Sequence, residues 1–198
     1  MFRDPSTDSE CHLLNGGQSF TFRFLVFLVF SLLVGTAFAS ANHYQQVLSS
    51  TTWIITSDAD NETSTGTGVL IDAEKRLVLT NAHVVGDSRT AVVFFPEMSG
   101  GMPRVKRKYY LDNVVKLAQP SKVVAVDRKR DLALIQLPKL PSGAKAIDMS
   151  ETSVMPGSDI DVIGNPGGSD VLWVTTSGTV RSVYDKKFKS NHGRHEFR

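Results

Sequence analysis

From Val47 onward the chain is cut into short apolar runs rich in β-branched residues, and this punctuation limits the fold more than any other feature. The runs are VLSSTTWIIT (47–56), GTGVLID (66–72), RLVLT (76–80), TAVVFF (90–95), SKVVAVD (121–127) and DLALIQL (131–137). After Pro138 come SDIDVIG (158–164) and VLWVTTSGTVRSVY (171–184). Runs this short, separated by turn residues, predict an all-β sandwich or barrel. No stretch of ten or more residues after position 47 carries a helical period, and one short helical turn is expected after His83. Pro138, Pro141 and then Pro156-Gly157 bracket a polar connector. It divides a first group of about six strands from a second with two clear ones. A sheet that small buries little, so Val171, Leu172, Trp173 and Val174 are expected to lack their full set of neighbours.

The 198 residues suffice for one domain or two small subdomains, and 41% apolar with 21% charged residues is ordinary for a globular chain. A net charge of +2 does not suggest a nucleic-acid partner. The basic cluster Arg104-Val105-Lys106-Arg107-Lys108 is followed by two tyrosines and a strand-like run, and it reads as a solvated loop or hairpin edge. Cys11 is the only cysteine, which excludes an intrachain disulfide and a cysteine-ligated structural zinc. Arg23 and the apolar stretch from Phe24 to Ala39, which ends in the small-x-small triplet Ala37-Phe38-Ala39, form a secretory signal pattern with cleavage expected after Ala39. The rival is an uncleaved anchor, but the apolar stretch is shorter than the roughly 20 residues that span a bilayer. Asp4, Asp8 and Glu10 lie in an unusually long segment before it, and the true start could lie downstream.

The chemistry rests on His83 and Asp131. Alone, either is an ordinary strand-end residue. Together they flank two strand-like runs, RLVLT and DLALIQL, that adjacent strands of one barrel would bring into contact. In such a pair the carboxylate fixes the imidazole tautomer and stabilises the imidazolium formed when the histidine takes a proton. Ala82 leaves room for the ring, and Leu132, Ala133 and Leu134 are expected to shield the pair from water. Small residues at 65–68 allow close backbone approach, and Asn165-Pro166-Gly167-Gly168 is a turn.

The blocks STGTGVLIDAEKRLVLTNAHVV, DLALIQL and VIGNPGGSDVLWVTTSGTVRSV resemble a trypsin-like serine protease of the HtrA/Deg type across roughly residues 64–183. The resemblance implies an all-β, trypsin-like double β-barrel with the first barrel complete and the second truncated. It divides the chain into a first barrel over 40–140, a connector over 141–157 and a partial second barrel over 158–198. It implies peptide-bond hydrolysis through an acyl-enzyme, with His83 as general base and acid, Asp131 as its orienting partner and polypeptides as substrates. It implies export to the periplasm or medium and no cofactor, metal, nucleic acid or membrane contact beyond the signal segment.

One departure stands against activity. The family's nucleophile follows the aspartate in a Gly-Asn/Asp-Ser-Gly-Gly loop, and no such motif follows Asp131. Ser158 and Ser169 sit in Gly-Ser-Asp contexts, Ser177 lies within a strand, and Ser182 and Ser190 lack flanking glycines. In the family the oxyanion-hole donors come from the same loop. The chain is therefore expected to be the amino-terminal portion of a protease, inactive by itself. The alternative is a binding or scaffolding module that keeps the fold without catalysis. Other signals are weak. Asp58, Asp60 and Glu62 lack calcium-loop spacing, His192 and His195 have no third ligand nearby in sequence, and Asn61-Glu62-Thr63 is a formal glycosylation acceptor.

Overall fold

The computed structural model describes residues 43–58 and 62–184 in full, and the backbone of two further strands over 186–190 and 193–197. The expected signal segment 1–39, Asp60, Asn61 and the side chains of Ser190, His192 and His195 lie outside the described residues.

The chain opens with helix α1 (residues 43–50), where a strand was expected from Val47. Tyr44, Val47 and Leu48 stand at i, i+3 and i+4 and share one buried face. Ser49, Ser50 and Thr51 hydroxyls then donate to the Gln46 and Val47 carbonyls, satisfying acceptors that the last helical turn leaves free. Strand pairing starts at Thr51.

Six strands close into a barrel in the order β1–β2–β3–β8–β7–β4. They are β1 (Thr51–Ser57), β2 (Thr63–Asp72), β3 (Leu77–Thr80), β4 (Thr90–Phe94), β7 (Gln119–Asp127) and β8 (Leu132–Gln136). Closure comes from β1 against β4, with Trp53 opposite Phe94 and Ile55 opposite Val92. Each barrel strand overlaps one of the six β-rich runs before Pro138, with β2 starting three residues and β7 two residues before its run.

The unbroken apolar stretches Trp53-Ile54-Ile55 of β1 and Ala91–Phe94 of β4 have a structural cause: both of their faces are covered. Ile54, Leu70, Val78, Ala91, Val93, Phe95, Ala133 and Ile135 pack inside the barrel. Trp53 and Phe94, one residue out of phase, point outward into a second cluster with Leu48, Tyr110, Ile163, Leu172 and Trp173. Gly68 is where the interior admits no side chain, since a Cβ there would lie 2.6 Å from Ile54 Cδ1 and 2.7 Å from Val78 Cγ1.

Between β4 and β7 the structure departs from the sequence expectation. After the small hairpin β5 (Met98–Ser99)–β6 (Met102–Pro103), the end of the basic cluster, the two tyrosines and the strand-like run after them form α3 (Arg107–Asp112) and α4 (Val114–Leu117). The chain's Ser99-Gly100-Gly101 triplet is this hairpin's turn, with both glycines at positive φ. Only part of the basic cluster stays in loop. Arg107 donates to the Pro166 carbonyl, and its guanidinium stands 5.2 Å from the Trp53 ring. Tyr110 is buried, packing edge-on against Trp53, Phe94 and Trp173.

Beyond the connector, β9 (Asp159–Gly164) and β10 (Val174–Thr179) form a two-stranded sheet. The last described pairing joins β11 (Lys186–Ser190) to β12 (Gly193–Phe197). The expectation that residues 171–174 lack their full set of neighbours fails at its centre: Leu172 is 1% and Trp173 3% exposed. They are covered by Trp53 and Phe94 on the outer face of the first barrel, with Leu48, Tyr110 and Ile163 of β9 completing the cluster. The unpaired apolar surface lies instead on β9, where Ile160 and Val162 are exposed.

Candidate active site

His83 is carried by α2 (Ala82–Val85), a single helical turn that starts where β3 ends. Ala82, Val84 and Val85 are buried, so the turn is fastened by its neighbours while His83 projects from it. Thr56 Oγ1 on β1 donates to the Val84 carbonyl at 2.7 Å, and the Gly86 N–H closes the turn onto Ala82. Gly66 on β2 makes room for it, because a Cβ there would meet Val84 Cγ2 at 2.5 Å and Cγ1 at 2.8 Å. The small residues at 65–68 thus serve helix seating as well as barrel filling.

Asp131 stands at the entrance to β8, whose pairing with β3 places Ala133 opposite Thr80. This register brings Asp131 beside α2. His83 Nδ1 is 2.7 Å from Asp131 Oδ2, within the range expected for a base and its orienting acid. Oδ1 accepts the His83 backbone N–H at 2.8 Å. Burial pushes the Asp131 carboxyl up, but donation from the His83 backbone and ring, the His83 charge and the Ala82 backbone together bring it below the usual carboxylate value of 3.8. Asp131 is therefore ionised near neutrality and can only accept. The shared proton accordingly belongs on Nδ1, which leaves the Nε2 lone pair free to act as a base.

The expected shielding is incomplete. The His83 side chain is 71% and that of Asp131 34% exposed, and Leu132 is itself exposed. None of the described serine hydroxyls hydrogen-bonds His83. Ser169 Oγ accepts the Val171 N–H, Ser177 Oγ donates to Asp161 Oδ1, and the Ser158 carbonyl accepts the Val180 N–H at the end of the β9–β10 pair. No cluster of three potential metal ligands occurs among the described residues. Asp58 and Glu62, weighed as cation ligands, instead close a turn in which Asp58 Oδ1 accepts the Glu62 N–H.

Two residues matter more than the sequence suggested. Asn165, expected only as a turn residue, is buried and ties the β9–β10 sheet to the barrel. Its N–H donates to Thr67 Oγ1, its Nδ2 to the Thr52 carbonyl, and its Oδ1 accepts the Trp173 N–H. Asn81, two residues before His83, sends its side chain to Asp131. Its polar character at the start of a helical turn was visible, but its partner lies 50 residues away.

A closed six-stranded barrel, a second partial sheet docked on its outer face and a His–Asp pair at the barrel rim define a trypsin-like peptidase fold. Residues 66–197 match the trypsin-like peptidase domain family, and the chain belongs to it. It is 35% identical over 119 residues to the periplasmic serine endoprotease DegP of Escherichia coli (strain K12), and 34% identical to that of Salmonella typhimurium. These matches cover 60% of this chain but 21% of each DegP, so the chain spans about a fifth of the length of the curated relatives it matches. Its fold is similar to the Rv3671c protease of M. tuberculosis in its active form, with a TM-score of 0.56 and 22% identity over 76% of this chain and 57% of that one. It is also similar to the MamO protease domain of Magnetospirillum magneticum, with a TM-score of 0.54 and 17% identity over 77% of this chain and 70% of that one. At these identities the structural likenesses speak for the fold alone.

Proposed function

We propose that this chain carries the general-base half of a serine endopeptidase site, with His83 as base and acid and Asp131 as its orienting carboxylate. The supporting observation is the 2.7 Å contact between Nδ1 and Oδ2 across 48 residues of sequence, together with an acceptor-only carboxylate. In the reaction of the family, Nε2 takes the proton of a serine hydroxyl as its oxygen attacks a peptide carbonyl. The imidazolium formed is stabilised by Asp131 and returns the proton to the leaving amine. The substrates are polypeptides. The first barrel spans 40–140, the connector 141–157 and the partial second barrel 158–198, and the protein is exported after cleavage behind Ala39. Amino-terminal sequencing of the extracytoplasmic protein should begin at Ser40; an intact terminus fractionating with membranes would replace cleavage by anchoring.

The 198 residues are inactive by themselves, because no Gly-x-Ser-Gly-Gly follows Asp131 and no described serine reaches His83. A base without a hydroxyl to activate starts no acyl transfer. The purified chain should hydrolyse no peptide above background and should take up no serine-directed fluorophosphonate. Extending it with a trypsin-like segment bearing Gly-Asp-Ser-Gly-Gly should create labelling that His83→Ala abolishes. Labelling of the 198-residue chain at Ser158, Ser169 or another serine, lost on His83→Ala, would contradict this reading.

The alternative is a non-catalytic binding or scaffolding module. An extended chain that folds yet stays unlabelled would support it.

A further inference from the structure

We infer that Asn81 is a positioning residue for the His83–Asp131 pair, an assignment that rests on the proposed function above. Asn81 occupies the N-cap of α2, where an asparagine ordinarily turns its side-chain oxygen onto a backbone N–H of the first turn. Here the side chain makes no capping bond. Its Nδ2 instead donates to the Asp131 carbonyl at 3.0 Å and to Asp131 Oδ2 at 3.3 Å. Both partners are acceptors, so the amide orientation follows from the chemistry.

The capping task has passed to Asp131 itself, whose Oδ1 takes the His83 N–H. The two residues have thus exchanged roles. The aspartate caps the helix from another strand, and the residue at the cap holds the aspartate. A side chain kept only for helix stability would not be turned away from the helix it begins.

Asp131 needs holding. Its φ is +54°, a left-handed conformation that few residues other than glycine adopt, though aspartate tolerates it better than most. In this conformation its carbonyl accepts Asn81 while its carboxylate faces His83. The two Asn81 bonds fix the backbone and one oxygen of the same residue, leaving the carboxylate little freedom to rotate. Oδ2 then accepts from Asn81 and from the His83 ring, and Oδ1 from the His83 backbone. With its rotation limited, the carboxylate stays where only an Nδ1–H imidazole satisfies it. Free imidazole side chains favour the opposite tautomer, with the proton on Nε2, which cannot act as the base. Asn81 therefore biases His83 towards the reactive tautomer through Asp131 without touching substrate.

The test uses the full 198-residue chain labelled with ¹⁵N-histidine, reading the His83 tautomer from its ring nitrogen shifts at a pH where the ring is neutral. The unaltered chain should show His83 chiefly as the Nδ1–H form. Asn81→Ser keeps a capping oxygen but provides no amide, and it should shift the majority to Nε2–H without unfolding. Asn81→Asp, an equally good cap that cannot donate when ionised, should do the same. Retention of the Nδ1–H majority in both variants would overturn the assignment, as would unfolding of both, which would make Asn81 a stability residue. Asp131→Asn separates the two hypotheses. If it too leaves the Nδ1–H form dominant, the His83–Asp131 reading itself fails, whatever Asn81 does.

Discussion

Replacing Gly66 by alanine tests how the helical turn that carries His83 is seated. The new Cβ would lie 2.5 Å from Val84 Cγ2, 2.8 Å from Cγ1 and 3.3 Å from its Cβ. Carbon atoms in contact prefer about 3.5–4.0 Å, so the methyl overlaps Val84 by roughly 1.0–1.5 Å at its nearest point. Rotating Val84 offers no relief, because two methyls and the branching carbon already face the intruder and a β-branched side chain has few rotamers. The overlap must instead move α2, and the Thr56 hydroxyl bond to the Val84 carbonyl resists this. Overpacking of this kind costs about 1–3 kcal/mol. At about 2–4 °C per kcal/mol for a domain of this size, the thermal midpoint should fall by roughly 2–12 °C. Thermal unfolding followed by circular dichroism measures it, with Gly178→Ala as the control. A Cβ at Gly178 meets nothing within 4 Å, and its variant should stay within about 1 kcal/mol of the parent. Trimming the obstacle should relieve the clash, so Gly66→Ala with Val84→Ala should beat the sum of the single changes by about 0.5–3 kcal/mol. An unchanged midpoint for Gly66→Ala, or strict additivity with Val84→Ala, would refute the argument that Gly66 is small in order to seat the histidine.

Further outcomes follow from the same geometry. Asn165→Ala strips buried partners from the Thr52 carbonyl and the Trp173 N–H, and should cost about 2–4 kcal/mol. It should also red-shift tryptophan emission as Trp173 is released, and unchanged emission would show that the sheet is held by packing alone. Tyr110→Phe removes a hydroxyl that accepts from Glu97 N–H and Trp173 Nε1 and donates to the Arg104 carbonyl. It should lower stability by about 1–3 kcal/mol in denaturant titration, against no loss if the ring stack suffices. Because the folded Asp131 carboxyl lies below 3.8, its contribution is present above that pH and is lost as the pH falls through the folded value. Asp131→Asn should therefore flatten the acid limb of the stability profile below pH 3.8, and parallel limbs for the two proteins would contradict this.

Much of this architecture was legible from local pattern. Short β-branched runs between turn residues marked all six barrel strands, because strand formation needs a side-chain face and a stop, and both are local. The placement of His83 and Asp131 at the ends of two such runs was legible for the same reason. Apart from the short turn at His83, the helices were not. Tyr109-Tyr110 and Val114-Val115 favour strand by intrinsic preference, yet Tyr110 is drawn into the aromatic cluster with Trp53, Phe94 and Trp173, and that burial outweighs the small propensity differences. In α1, the i, i+3, i+4 spacing of Tyr44, Val47 and Leu48 was present but occupied barely two turns, so its signal merged with the strand that follows. Burial of Leu172 and Trp173 was not legible, because sequence shows how apolar a segment is but not which surface covers it. The left-handed turn at Asp131, the reach of Asn81 across 50 residues and the three-way clamp of Asn165 were decided only when the barrel closed. The Asn81 bond and the Asn165 bonds to Thr52 and Thr67 join groups far apart in the chain, and no local preference of the backbone encodes such a meeting.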